Sequence, residues 1–224
     1  VLANMGLVLP EKNFLSDVRK ITKQHDIPLI FDEVVNGFRI SEGGAQKMFH
    51  IKPDITTLGK ALGNGFTIAA VGGKKEIMDK LSPSGKVYQA STFAGTPISV
   101  TAAISSIKYI NKMKNKLYPK LKQNCKMMVD EIDDLASDYH IPHTINSISS
   151  MFQIFFTDKK VTDYKTAKKS NVKKFNTLFR NLLKNGVFIA PSQFETVFLS
   201  DAHVDIDITK ALGAYGMSLK MVKN

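Results

Sequence analysis

An α/β fold is the class that the amino-acid sequence predicts. Segments with helical periodicity alternate along the chain with short apolar runs of strand length, a pattern typical of α/β proteins. The first apolar run, Leu29–Phe31, follows an amphipathic helix and stops at Asp32 and Glu33. We expect a parallel strand there, buried on both faces, with its carboxyl end at the sheet edge where ligands bind. The 224 residues suffice for one large domain or two small ones.

The elements of the first half follow from periodicity and turn residues. Apolar residues recur on one helical face between Asn13 and Gln24, glycines close the two strands that follow Leu29–Phe31, and Pro97 suits the first position of a helix. In chain order, we predict a helix at 13–24, strands at 29–31, 55–58 and 68–71, a short helix at 74–81, a strand or extended loop at 87–93, and a helix at 97–111.

The pattern of predicted elements changes in the second half of the chain, and this change predicts a second domain. A long polar-faced helix at 117–139 comes first, and Gly186 stops a basic amphipathic helix. Asp205 is placed to cap the final helix. The further predicted elements are a strand at 150–156, the basic helix at 166–185, strands at 187–190 and 196–199, and the final helix at 206–222. We place the boundary near residue 113, which divides the chain into domains 1–113 and 114–224.

Composition limits the classes of partner. The net charge of +11 comes mainly from lysines scattered over helix faces, and the chain has few arginines, which base and phosphate recognition favour. We therefore expect no nucleic-acid partner. No apolar stretch has membrane-spanning length, and no membrane partner is expected. The single cysteine, Cys125, excludes an internal disulfide, fits a reducing cytoplasm and is expected to be buried. No metal site is expected, because His and Cys lack ligand spacing.

Two features follow neighbouring predicted strands. Asp32–Val34 follows the first, and Lys60 follows the second within the glycine-rich segment Gly59–Gly65. Taken separately, the carboxylates suit a ligand contact, a helix cap or a surface ion pair, and the lysine segment suits a surface turn as well as a phosphate or imine site. Together, an aspartate and a lysine at one sheet edge are the pair that pyridoxal phosphate requires. The aspartate pairs with the ring nitrogen, and the lysine forms the imine and moves a proton.

Hydroxyl groups precede the helix predicted to start at Pro97. The segment Tyr88–Thr96 contains Ser91 and Thr92 as well as free backbone amides. Hydroxyls and amides near a helix N-terminus suit a phosphate group. A plain Ser/Thr-rich capping turn explains the same residues equally well.

These motifs make the chain resemble the class III pyridoxal-phosphate aminotransferases, which have fold type I. Within that family, Val87–Ala90 together with Thr92, Gly95 and Pro97 favours the glutamate-1-semialdehyde 2,1-aminomutase branch. The segments that carry the resemblance are Leu29–Val34, Gly37–Arg39, Gly43–Gln46, Lys52–Lys60, Ala190–Glu195 and Ser200–His203. The resemblance implies part of the family's large, mostly parallel-sheet domain followed by a small C-terminal α/β domain.

The resemblance also implies roles for individual residues. Lys60 matches the catalytic Schiff-base lysine, Asp32 the partner of the pyridine nitrogen, and Val34 a residue packed on the ring. Thr92 matches a residue that binds the cofactor phosphate of the partner subunit, which implies a homodimer with the site at the subunit interface. Glu195 matches a glutamate near the substrate. Glu33 is expected to have a structural role, because it points to the opposite side of the strand.

The implied activity is that of a pyridoxal-phosphate-dependent isomerase. It converts glutamate 1-semialdehyde, an amino-aldehyde acid, to 5-aminolevulinate for tetrapyrrole synthesis. Ala94, Thr96 and Asn64 depart from the family pattern around the phosphate. Family members also carry about as much chain again before this region, so the sequence is expected to be the C-terminal part of such an enzyme. Another class III aminotransferase, or a noncatalytic fragment that needs a complementary chain, are the alternatives.

Overall fold

The computed structural model describes residues 2–223 and divides into two compact units, each described here by itself. One unit is Glu11–Lys116, and the other combines Val1–Pro10 with Leu117–Asn224. The division at Leu117 falls close to residue 113, whereas the N-terminal segment groups with the later unit instead of the earlier one. The assignment of 1–113 and 114–224 to the large and small domains of the family stays a prediction.

A three-stranded sheet forms the centre of unit Glu11–Lys116. Strand β1 (Ile30–Asp32) pairs in parallel with β2 (Ile55–Leu58), and β2 pairs antiparallel with β3 (Ala70–Gly73). The helices of this unit are α1 (Phe14–Gln24), α2 (Gly44–Met48), α3 (Lys75–Met78) and the first part of α4 (Pro97–Asp138). A single 3-10 turn, Lys60–Leu62, follows β2.

Most predicted elements of this unit are confirmed, with two corrections. Strand β3 begins two residues later than the predicted 68–71. Of the two alternatives predicted for 87–93, the structure has the loop, in which Val87 forms an isolated bridge with Leu81. The expectation that the first strand is buried on both faces is wrong, since Ile30 is 56% exposed. Within residues 2–223, β1 has β2 as its only sheet neighbour, and an edge strand buries less surface than a central one.

Helix α4 runs without interruption from Pro97 to Asp138, where the sequence predicts two helices. Pro119 lies inside it, although proline removes a helical hydrogen bond at a cost of about 3 kcal/mol. Packing offsets that cost, because buried apolar residues follow helical spacing from just before the proline through the rest of the helix. These residues are Leu117, Leu121, Cys125, Met128, Ile132 and Ala136.

An antiparallel sheet, the part of α4 from residue 117 onwards and three further helices form the core of the other unit. Strand β5 (Met151–Phe155) pairs with β4 (Thr144–Ile148) and with β6 (Val197–Phe198), and every residue of β5 is buried. The helices are α5 (Tyr164–Ala167), α6 (Val172–Lys184) and α7 (Asp205–Lys223). Phe152, Leu178, Tyr215 and Leu219 are among the fully buried side chains of this core.

The predictions for this unit are confirmed in part. The basic helix at 166–185 is two helices, because the side chain of Asn171 accepts the Lys174 N–H and begins α6. Gly186 ends α6 with a φ of +78°, as expected. The strand predicted at 187–190 is wrong, since these residues are irregular, and β4 was not predicted. Among residues 2–223, no helix combines the length and hydropathy that crossing a bilayer requires.

Candidate active site

Asp32 is the last residue of β1, and the hydrogen bonds to its carboxylate end on one of the two oxygens. Its Oδ1 accepts the backbone N–H of Val34 at 3.0 Å and the hydroxyl of Thr57 at 3.2 Å. The parallel ladder explains the second contact, because its register places Asp32 beside Thr57. The second oxygen, Oδ2, has no hydrogen-bond partner among residues 2–223, and the side chain is exposed. The carboxylate therefore has a fixed position and a free acceptor.

Lys60 begins the turn that follows β2. Its backbone has a φ of +42°, a left-handed conformation that costs a non-glycine residue about 1 to 2 kcal/mol. The turn is held by the Leu62 N–H donating to Gly59 O at 2.9 Å and the Gly63 N–H to Lys60 O at 3.1 Å. Gly63 is required there, since a side-chain carbon at that position would collide with the carbonyl oxygen of Phe66. The glycine-rich segment thus serves a tight turn that presents Lys60 to solvent.

A cavity of about 920 Å³ joins these elements within unit Glu11–Lys116. Lys60, Val34 and Thr57 line it on the strand side. Residues 65–71 and part of the loop 89–95 complete its wall. Its volume lies at the upper end of the range for small-molecule sites, about 300–1,000 Å³. Asp32 does not line the cavity itself and reaches its wall through the hydrogen bond to Thr57.

Thr92 lies in the exposed loop between α3 and α4. Its neighbours Ser91 and Phe93 line the cavity, whereas Thr92 itself does not. The side chains of Tyr88 and Phe93 in this loop are 82% and 63% exposed. The role of Thr92 in binding a partner's phosphate stays a prediction.

Glu33 has the structural role that strand geometry predicts. Its side chain is 0% exposed and points away from Asp32, as the alternation of a strand requires. The two carboxylate oxygens accept the backbone N–H groups of Ala45 at 3.0 Å and Gln46 at 2.9 Å, at the start of α2. A carboxylate satisfies the free N–H groups of a helix N-terminus well. Glu33 therefore anchors α2 behind the strand end that carries Asp32.

Glu195 lies in the other compact unit, in the irregular segment before β6. It is exposed, and its backbone N–H donates to Ser192 O at 3.0 Å. Its role near the substrate stays a prediction.

Asp54 is a buried ionic centre that the sequence did not reveal. Its carboxylate accepts the Leu29 N–H at 2.7 Å and contacts Arg19 Nη1 and Lys74 Nζ, each at 2.7 Å. The Leu29 N–H above all, then Lys74 and Arg19, hold the pKa of Asp54 well below its usual range. These contacts connect α1, the residue before β1 and the residue after β3 to one carboxylate. The position of Asp54 directly before β2 is visible in the sequence. Its three partners are distant along the chain, so their contacts with Asp54 could not be predicted.

Two other kinds of reactive site, a metal centre and a nucleophilic thiol, are not formed by residues 2–223. No group of His, Cys, Asp and Glu there is arranged to hold a metal ion. Cys125 is buried, as predicted, and burial raises the pKa of its thiol to about 12. A thiol in that environment is a poor nucleophile at neutral pH.

The chain is similar to known proteins of one family. The sequence model of the family described as Aminotransferase class-III matches residues 1–213. A relative from Nitrosopumilus maritimus (strain SCM1), named glutamate-1-semialdehyde 2,1-aminomutase, is 69% identical over 100% of this chain and 53% of its own length. A relative from Cenarchaeum symbiosum (strain A), named glutamate-1-semialdehyde 2,1-aminomutase 1, is 51% identical over 98% of this chain and 52% of its own length. The chain spans about half the length of the curated relatives it matches.

Solved structures have the same architecture. An omega-transaminase from Sphaerobacter thermophilus superimposes with a TM-score of 0.90 at 25% identity, over 100% of this chain and 51% of the other. A variant glutamate-1-semialdehyde-aminomutase from Pseudomonas aeruginosa PAO1 in complex with PMP superimposes with a TM-score of 0.85 at 19% identity, over 98% of this chain and 50% of the other. These likenesses confirm the predicted fold class.

Proposed function

The chain belongs to the class-III aminotransferase family, and on that premise we propose that Lys60 binds pyridoxal 5'-phosphate covalently while Asp32 pairs with the nitrogen of its ring. The observation that carries the proposal is the pairing of β1 with β2 in parallel, which brings Asp32 and Lys60 to the same edge of one sheet. When bound, the cofactor supplies a carbonyl carbon to the lysine and a protonated ring that withdraws electrons from a substrate C–H bond.

The residues of the site fit that cofactor. The open Oδ2 of Asp32 provides the acceptor that a protonated pyridine nitrogen needs, and Oδ1 is already fixed by two donors. Val34 contributes an apolar side chain to the cavity wall, suited to packing on a flat ring. Lys60 lines the same cavity, which is large enough for a cofactor and a small substrate.

The side chains divide the chemistry between them. We propose that the Lys60 amine, freed when an amino substrate takes its place, removes and returns the proton at the substrate carbon. Its backbone is fixed by the hydrogen-bonded turn at Gly59–Gly63, so the amine swings on its side chain alone. The negative charge of Asp32 keeps the ring nitrogen protonated, which favours electron withdrawal towards the ring.

The proposed reaction of the whole enzyme is the conversion of glutamate 1-semialdehyde to 5-aminolevulinate. The amino group moves from carbon 2 to carbon 1 within one substrate skeleton, so substrate and product have the same atoms. The names of the relatives at 69% and 51% identity support this choice. The activity is proposed for the complete protein, because the chain spans about half of those relatives.

Further parts of the proposal concern assembly and location. We propose a homodimer in which Thr92 of one subunit binds the cofactor phosphate of the other, and the exposed aromatic residues Tyr88 and Phe93 beside it support a contact surface. Glu195 is proposed to lie near the substrate. A cytoplasmic location is proposed from the single, buried and unpaired cysteine.

A second candidate is an ordinary class III transamination with an external keto acid. The superposition on an omega-transaminase, with a TM-score of 0.90, supports this second candidate. The two reactions differ in stoichiometry, because a transaminase consumes one keto acid for each amino group moved and the isomerase consumes none. Product formation from glutamate 1-semialdehyde without any keto acid would support the isomerase, and strict dependence on a keto acid would support the transaminase.

Covalent trapping tests the cofactor site directly. The chain, alone and mixed with the part of the Nitrosopumilus maritimus relative that it does not match, is incubated with pyridoxal phosphate and reduced with borohydride. We expect mass spectrometry to place the adduct on Lys60, with little on Lys74 or Lys75, which lie outside the cavity. An adduct elsewhere, or none in the mixture, contradicts the proposed function. Lys60→Ala is the matched variant and should abolish the specific adduct.

A further inference from the structure

The register of β1 and β2 places a hydroxyl group on the Asp32 carboxylate. Asp32 is opposite Thr57 in the parallel ladder, and Thr57 Oγ1 donates to Asp32 Oδ1 at 3.2 Å. The backbone adds a second tie, since the Glu33 N–H donates to Thr57 O at 3.0 Å. Thr57 is thus the side chain of β2 that contacts the carboxylate, and it also lines the cavity that contains Lys60.

Both hydrogen bonds to Asp32 end on the same oxygen. The Val34 N–H and the Thr57 hydroxyl approach Oδ1 from two different segments, which fixes the torsion of the carboxylate group. In the described part of the chain, Oδ2 accepts no hydrogen bond. A carboxylate held by one oxygen presents the other in a fixed direction, so little rotamer freedom remains to be lost on binding.

We propose that Thr57 is a positioning residue that holds Asp32 by one carboxylate oxygen and leaves the other to the ring nitrogen of the cofactor. The inference rests on the proposed function, because it gives Asp32 its cofactor partner. In this role Thr57 acts through the orientation of Asp32.

The neighbouring residue Thr56 provides a matched control. It lies on the same strand and has the same side chain, but alternation places it on the opposite face of the sheet. Its hydroxyl accepts from Gln46 Nε2 at 3.4 Å, and Thr56 does not line the cavity. Replacing Thr56 by valine therefore reproduces the loss of a strand hydroxyl without affecting Asp32.

Cofactor titration tests the proposal in the chain mixed with the unmatched part of the Nitrosopumilus maritimus relative. Thr57→Val keeps the shape of the side chain and removes its hydroxyl, so we expect the Kd for pyridoxal phosphate to rise about tenfold. Thr57→Ser restores the donor and should bring the Kd back to within about threefold of the original. Thr56→Val should leave the Kd unchanged.

A double-mutant cycle separates positioning from a general effect on the strand. In an Asp32→Ala background there is no carboxylate to orient, so Thr57→Val should change the Kd by less than about twofold. A tenfold effect that persists without Asp32, or an effect equal to that of Thr56→Val, overturns the proposal.

The same cycle, measured on urea unfolding of the chain without cofactor, tests the hydrogen bond independently of the proposed function. Thr57→Val should raise the unfolding equilibrium constant about fivefold when Asp32 is present and leave it nearly unchanged in Asp32→Ala. If borohydride trapping fails at Lys60 but this coupling is found, the cofactor assignment is wrong and the Thr57–Asp32 contact is right. If trapping succeeds and neither cycle shows coupling, the inference about Thr57 is wrong.

Discussion

Removing the charge of Asp54 should destabilise the unit Glu11–Lys116 although Asp54 lines no part of the Lys60 cavity. The Asp54 side chain is 5% exposed and is contacted by the Leu29 N–H, Arg19 and Lys74. Asp54→Asn keeps the size of the side chain and one acceptor oxygen. That oxygen can still accept the buried Leu29 N–H, so the loss falls on the two cationic partners.

The expected cost follows from how exposed those partners are. A hydrogen bond to a charged group contributes about 1.5 to 3 kcal/mol when desolvated and much less at the surface. The side chain of Arg19 is 21% exposed and that of Lys74 is 49% exposed, so each regains part of its hydration when Asp54 is neutral. We therefore expect the free energy of unfolding at pH 7 to fall by about 2 kcal/mol, most of it from the Arg19 contact.

The loss of unfolding free energy caused by Asp54→Asn should become smaller at low pH. The backbone N–H of Leu29 and the side chains of Lys74 and Arg19 depress the pKa of Asp54 in the folded chain. The ordinary pKa of an unfolded aspartate is about 4. A depressed carboxyl pKa gives stability that is present above the unfolded pKa and lost as the pH falls through the folded pKa. The difference between the chain and Asp54→Asn should therefore be constant from pH 7 to about 5 and shrink below about 4.

Urea unfolding followed by far-ultraviolet circular dichroism measures both effects. Asp79→Asn is the control, because Asp79 makes an ion pair with Lys75 on the surface of the same unit and its side chain is 52% exposed. We expect it to cost less than about 0.5 kcal/mol at every pH. The reasoning is refuted if Asp54→Asn costs no more than Asp79→Asn at pH 7, or if its cost is the same at pH 3 as at pH 7.

Two further predictions concern a buried thiol and a close backbone approach. Cys125, whose thiol pKa is raised to about 12 by burial, should not react with a disulfide reagent at pH 8 in the folded chain and should react fully in urea; rapid labelling without denaturant contradicts this. Gly44→Ala should cost roughly 2 to 4 kcal/mol, because its φ is +63° and the new carbon would lie 2.5 Å from the Glu33 carboxylate. Gly72→Ala, with nothing within 4 Å, should cost less than about 1 kcal/mol in the same unfolding assay, and equal costs for the two variants would contradict the prediction.

The candidate site could be predicted from the sequence because its signals are local. Lys60 stands in a glycine-rich turn after an apolar strand, and Asp32 directly follows another apolar strand. Two parallel strands separated by a helix end at one sheet edge, so their terminal residues are brought together by topology alone. The orientation of each side chain was inaccessible, since it depends on register. The contact between Thr57 and Asp32 is of that kind.

Other differences arise where tertiary contacts decide the outcome. The sequence predicts two helices, at 97–111 and 117–139, whereas α4 is continuous from Pro97 to Asp138. Buried residues from Leu117 to Ala136 follow helical spacing, and their packing keeps Pro119 within the helix. Ile30 is apolar and was expected to be buried, yet burial depends on what lies beside β1, which the sequence of β1 does not contain. Strand β4 has mixed polarity, and only its pairing with the fully buried β5 makes it a strand.

Register also explains why Asp32 and Glu33, adjacent carboxylates, have separate tasks. Alternation along the strand end sends Glu33 into the protein, where the Ala45 and Gln46 N–H groups satisfy it, and leaves Asp32 at the surface beside Thr57. A shift of the β1–β2 pairing by one residue would move Asp32 away from Thr57 and break both arrangements together. The buried contacts of Glu33 therefore stabilise the register on which the position of Asp32 depends. The structural carboxylate and the proposed cofactor-binding one are thus coupled through a single strand.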